Sequence, residues 1–120
     1  MRPLLATVLA LATTLMLAVG SAAAAEVLQV RSATLLQIGD QNRSYGVELA
    51  CYGLSANDDG AAATSWLRSN LPRHTRVNLR PMGVEGGVLM ARVQRLDQGT
   101  DLASDLVAAG FGQPTAECGV

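Results

Sequence analysis

Apolar and polar positions alternate along several short stretches of this chain and recur at helical spacing along two others. Val27-Leu28-Gln29-Val30 and Thr34-Leu35-Leu36-Gln37-Ile38 are β-type runs followed by the turn residues Gly39-Asp40-Gln41-Asn42, which predicts strands and a hairpin. In Tyr45-Gly46-Val47-Glu48-Leu49-Ala50-Cys51 the residues Tyr45, Val47, Leu49 and Cys51 share one face, and Gly46, Glu48 and Ala50 share the other. That period of two predicts a third strand with Cys51 pointing inward and Ala50 outward.

Ser55 to Gly60 is polar and turn-rich, and Asp58 or Asp59 is predicted to cap a helix beginning near Ala61. Ala63, Trp66, Leu67 and Leu71 recur along it at helical spacing, with Pro72 just past its end, so Trp66 is expected to anchor the core. Thr75 to Arg80 alternates again, with Val77 and Leu79 inward and Arg76, Asn78 and Arg80 outward. Pro81 is expected to end that strand, and Gly83 to Gly87 to form a flexible loop.

Val88 to Val93 is the next strand, and Asp97-Gln98-Gly99 a turn. A second helix runs from Thr100 or Asp101 through Leu102, Ala103, Leu106, Val107 and Ala109, and Gly110 supplies a left-handed stop. Gln113 to Val120 has no periodicity. The order β-β-β-α-β-β-α predicts a mainly β protein with two helices, built as a five-stranded Greek-key OB-fold barrel.

The start of the chain reads differently. Met1-Arg2 is a short positive start, Leu4 to Val19 an uncharged apolar run, and Gly20 to Ala25 a series of small residues, the three regions of a secretory signal peptide cleaved after Ala25. Pro3 to Ala25 is also long enough to cross a bilayer as an uncleaved anchor. The small-residue end favours cleavage over an anchor, which would carry Trp, Tyr or Arg at the interface. The expected layout is a signal peptide at 1–25, a single small domain at 26–120, and no membrane association once the leader is removed.

The chain of 120 residues carries nine Lys+Arg against ten Asp+Glu, a formal net charge of −1. No global basic field draws it to nucleic acid, which argues against a nucleic-acid partner. Two cysteines remain after the leader, Cys51 and Cys118, and export places them where disulfides persist. One bridge between them is the simplest reading. Two free thiols or a metal pair are the alternatives, but no cluster of His or further Cys accompanies them.

Few other residues suggest chemistry. Arg76, Arg80 and Arg92 could share an outer sheet face of the kind that holds single-stranded nucleic acid, but the mature part has only Tyr45, Tyr52, Trp66 and Phe111 as stacking aromatics, and at least two are needed for the core. His74, the single histidine, sits in a loop without a Ser or Cys partner and is assigned no role. Gly83-Val84-Glu85-Gly86-Gly87 lacks the Lys and Ser/Thr of a phosphate loop. Asp97, Asp101 and Asp105 lack the spacing of a calcium loop.

Specific stretches match a family. Tyr45 to Cys51, Ala61 to Leu67, Thr75 to Leu79, Gly87 to Val93 and Asp101 to Phe111 together resemble the staphylococcal-nuclease (thermonuclease-like) domain, over almost the whole mature chain. The most specific piece is the last helix, with Leu106-Val107, then Gly110, and Gly112 after Phe111. The resemblance implies an OB-fold and, in members that cleave nucleic acid, calcium held by two aspartates, a glutamate acting on water and two arginines gripping phosphate.

Those positions are replaced here. Where the family carries an Asp-Gly-Asp-Thr turn, this chain reads Arg31-Ser32-Ala33-Thr34. The phosphate arginine falls on Glu48, the metal aspartate on Gly53, the general base on Ala56, and Tyr-Gly-Arg on Gly86-Gly87-Val88. The resemblance therefore implies a non-cleaving binding or structural module without cofactor, acting on an unknown partner of the cell envelope or the extracellular space. The alternative is a calcium-dependent nuclease whose site has moved to Asp58, Asp59 and the outer arginines.

Overall fold

A computed structural model describes residues 25 to 118. The expected signal peptide at 1–25 therefore falls outside the described residues, apart from Ala25. Ala25 opens β1 (Ala25–Val30), which pairs antiparallel with β2 (Leu35–Asp40). β2 turns through Gln41-Asn42 into β3 (Arg43–Leu49), with Asp40 opposite Arg43. The alternation in these strands buries Val27, Val30, Leu36, Ile38, Val47 and Leu49 on one side of the sheet.

β3 ends at Leu49, two residues before Cys51. Cys51 is buried, as expected, but it lies beyond the strand, where its φ of 69° turns the chain. Ala50, expected outward, is also buried, because the chain leaves the strand there and the period of two no longer holds. A short β4 (Tyr52–Gly53) follows and leads to helix α1 (Ala61–Asn70).

The entry to α1 differs from expectation. Gly60 occupies the cap position with φ 81°, and no side chain caps the helix. Asp58 and Asp59 act one step earlier, where their carboxylates accept from the backbone N–H of Gly60 at 2.8 Å and of Ala61 at 3.0 Å. A glycine suits this position because a residue with Cβ is strained at positive φ. Ala63, Leu67 and Leu71 are buried as the spacing predicts, whereas Trp66 is half-buried and packs its ring 6.3 Å from that of Phe111.

β5 (Arg76–Glu85) and β6 (Val88–Arg95) form the longest hairpin. Pro81 does not end β5: the strand continues to Glu85, with an irregularity in register between Pro81 and Gly83. Beyond Val77 the outer edge of β5 has no partner among the described strands, and an edge tolerates a proline's missing N–H. The expected loop reduces to Gly86 and Gly87, whose φ values of 57° and 78° belong to a type I′ turn.

β6 pairs parallel with β3, Val47 opposite Leu89 and Leu49 opposite Ala91, while β5 returns to β1. The circuit β1-β2-β3-β6-β5-β1 is a closed five-stranded barrel of mainly β structure with two helices, compatible with an OB-fold. The order β-β-β-α-β-β-α expected from periodicity is the order found.

After β6, β7 (Thr100–Asp101) pairs with Gln94 and Arg95 and leads into α2 (Leu102–Ala108). Asp101 caps α2 by accepting from the N–H of Ser104 at 3.0 Å, and Gly110 follows the helix with φ 92°. Leu102, Ala103 and Leu106 join the barrel residues in one core. β8 (Gln113–Pro114), invisible to periodicity, pairs with β4, and a single 3-10 turn (Ala116–Cys118) brings Cys118 to Cys51.

Candidate functional site

The positions at which the family resemblance implies metal and phosphate chemistry are scattered in function even where they are close in the fold. Arg31 to Thr34 is the connection between β1 and β2, where Leu35 accepts from the N–H groups of Arg31 and Ser32. Glu48 stands on the outer side of β3, in register with Leu35 on one neighbour and Met90 on the other. Val88 opens β6 opposite Glu85, Gly53 lies in β4, and Ala56 is exposed in the bend before α1. Among the described residues no group of three or more His, Cys, Asp or Glu is placed to hold a metal.

Asp58 and Asp59, the residues to which a displaced site would move, have carboxylate oxygens engaged with the backbone at the start of α1. His74 lies exposed with Nδ1 3.0 Å from the Glu26 carboxylate. Asp97, Asp101 and Asp105 diverge: Asp97 meets Arg95, Asp101 caps α2, and Asp105 accepts from the Thr100 hydroxyl at 2.7 Å.

The three outer-face arginines separate into two groups. Arg76 is in register with Glu26 of β1. Arg80 and Arg92 face each other directly across the β5–β6 ladder, and the next pair on the same face is Asn78 opposite Gln94. Like charges directly opposed in a ladder repel. Arg92 has an answer in Asp101, with Nε 3.5 Å from the carboxylate. Arg80 is exposed and has no hydrogen bond or ion pair among the described residues.

Asn78, Leu79, Arg80, Arg92 and Gln94 line a groove of about 530 Å³ together with Gly99 and Asp101, and Arg76 lies outside it. Arg92 and Asp101 also line a second pocket of about 330 Å³, with Ala103, Ser104, Val107, Ala108, Pro114 and the two cysteines. The first space is therefore polar and cationic, and the second mostly apolar. None of the four aromatic residues lines either space.

Sequence reasoning missed two features of this region. It did not join Arg80 and Arg92 into a pair, because strand register across a hairpin with an irregularity is invisible in a single sequence. It also passed over Arg95, which is 5% exposed, with Nη2 3.4 Å from Asp97 and Nε without a partner among the described residues. The signal existed: Arg95 has the same parity in β6 as the buried Ala91 and Val93.

In comparisons with known proteins, no family model matches the chain and no curated protein matches it.

Proposed function

We propose that the chain is an exported, non-cleaving relative of the thermonuclease-like OB barrels that works as a binding module of the cell envelope or extracellular space. The observation that carries the reading is Glu48, which occupies the position the resemblance gives to the phosphate-gripping arginine. A carboxylate there repels a phosphodiester and withdraws the positive charge that a pentacovalent phosphate needs, a loss of orders of magnitude in rate. Gly53, Ala56 and Val88 offer no ligand, base or cation in its place. The engagement of Asp58 and Asp59 with the backbone supports the same reading.

Export is supported by the charged start, apolar run and small-residue end of residues 1–25, and the Cys51–Cys118 bridge is consistent with an oxidising compartment. The test is incubation with single-stranded DNA and RNA in excess calcium, with chelator as control, alongside thermal melting with and without calcium. The expected result is no cleavage and an unchanged melting temperature, since a folded-state metal site raises it by linkage. Calcium-dependent cleavage abolished by chelator would overturn the reading in favour of a displaced nuclease site at Asp58 and Asp59.

A further inference from the structure

We propose that the groove at Arg80 and Arg92, together with the aliphatic pocket beside it, binds the C-terminal end of a peptide that finishes in an aliphatic residue. The proposal deepens the binding-module reading and rests on it. Three observations converge on this ligand.

The first is charge. Two guanidinium groups are opposed across one rung of the β5–β6 ladder, and only Asp101 stands against them. The rung is therefore left with one positive charge in excess, which a monoanion completes. A carboxylate suits the place, because guanidinium forks take its two oxygens in parallel.

The second is the pocket that shares the Arg92–Asp101 pair with the groove. Beyond Arg92 and Asp101 its walls are Ala103, Val107, Ala108, Pro114 and the Cys51–Cys118 bridge, with Ser104 the one other polar residue. About 330 Å³ is room for one aliphatic side chain, and the aromatic platform on which a nucleobase would stack is missing from both spaces. The two spaces share Arg92 and Asp101, so a carboxylate held at the arginines lies beside the aliphatic pocket.

The third is the pair of Asn78 and Gln94, the next on the same face of the ladder. The Gln94 side-chain N–H donates to the Gly99 carbonyl at 3.2 Å, which orients the amide and leaves its oxygen to accept from a ligand. A peptide offers a backbone N–H next to its terminal residue, whereas a fatty acid or a simple anion offers none. The site thus presents a partner for each group at a peptide's end: arginines for the carboxylate, the pocket for the last side chain and carboxamides for the preceding amide.

The experiment is titration of the protein, by calorimetry or by NMR, with acetyl-Ala-Leu and with its C-terminal amide. Inorganic phosphate and a single-stranded oligonucleotide serve as further arms. The acid is expected to bind, with the amide and the Arg80→Gln variant each weakening binding roughly tenfold or more through loss of a charge-assisted contact. Ala108→Trp fills the pocket and is expected to abolish binding of the acid. Arg80 and Ala108 are exposed, so both variants retain the core, and their melting curves verify it.

Equal binding of acid and amide, or binding of neither, would overturn the proposal. So would an oligonucleotide that binds more tightly than the acid with a steep salt dependence, since that would make the arginines a phosphate-backbone surface. Absence of cleavage in the same buffer, with no discrimination between acid and amide, would overturn this proposal alone. Cleavage of the oligonucleotide would overturn the binding-module reading beneath it.

Discussion

Cys51 and Cys118 are bonded with their Cα atoms 5.5 Å apart, tying the 3-10 turn Ala116–Cys118 to the connection between β3 and β4. The sequence separation of 67 residues makes this a long loop in the unfolded chain, and closing it removes about 4 kcal/mol of chain entropy from that state. The Cys51→Ala/Cys118→Ala double variant is expected to lose roughly that much in urea denaturation under oxidising conditions. A loss below about 1 kcal/mol would show that the tail is held by β4–β8 pairing and not by the bridge.

Gly112 and Gly83 should respond in opposite directions to the same change. Gly112 has φ 84°, and a Cβ there would stand 2.5 Å from the Gly53 carbonyl oxygen and 2.7 Å from the Tyr52 ring. Gly112→Ala is expected to cost roughly 2 kcal/mol or more, from backbone strain and from separating β4 and β8. Around Gly83 nothing lies within 4 Å of an added Cβ. Gly83→Ala is expected to be neutral or stabilising by about 0.5 kcal/mol, through the unfolded chain. Equilibrium denaturation of both variants reads the contrast directly.

Tyr52 is 5% exposed and its hydroxyl has no hydrogen-bond partner among the described residues. Burial, followed by the nearby Asp58 carboxylate, raises its pKa, because both disfavour the phenolate. The folded state therefore binds the phenolic proton more tightly than the unfolded state. The associated stability is fully present below the unfolded pKa of about 10 and is lost as pH rises through the higher folded value. Tyr45 is raised in the same direction by burial, then by Asp40, so alkaline loss of stability has two sources. Tyr52→Phe is expected to reduce that loss and to be neutral or stabilising at pH 7, by up to about 1 kcal/mol, because a buried unpaired hydroxyl is removed. A large loss at pH 7 would show that the hydroxyl is satisfied in solution.

Asp101 both caps α2 and meets Arg92, and two substitutions separate the roles. Asp101→Ala removes acceptance from the Ser104 N–H and hydroxyl, each at 3.0 Å, and is expected to cost about 1 kcal/mol. Asp101→Asn keeps a capping oxygen and loses only the charge facing Arg92, a partly exposed pair of small energetic weight. Urea midpoints should therefore fall for alanine and hardly move for asparagine. Equal losses would assign the stability to the ion pair.

The residue pattern carried the fold further than it carried the site. Alternation at Val27 to Ile38, Tyr45 to Leu49 and Val88 to Val93, and helical spacing at Ala63, Leu67 and Leu71, are consequences of which side of an element meets the core. They can be read from one sequence because the period belongs to the element itself. Gly110 as the helix stop is legible for the same local reason. Where the outcome depended on what lay alongside, the pattern misled. Pro81 looked like an end, but the strand continues because its outer edge is open, and Ala50 turned inward because the chain had already left the sheet.

What the sequence determined by itself was the five long strands and two helices, their order, most of the inward faces and the presence of a bondable cysteine pair, all of which follow from hydropathy and local backbone preference. Tertiary structure decided the parallel contact of β3 with β6 that closes the barrel, and the pairing of β4 with β8. It also decided that Arg80 opposes Arg92 while Arg76 stands against Glu26. Each of these is a register between segments distant in the chain. Register is settled by the summed packing and hydrogen bonding of whole strands, so no residue carries it alone, and a one-residue slip would move every side chain to the opposite face.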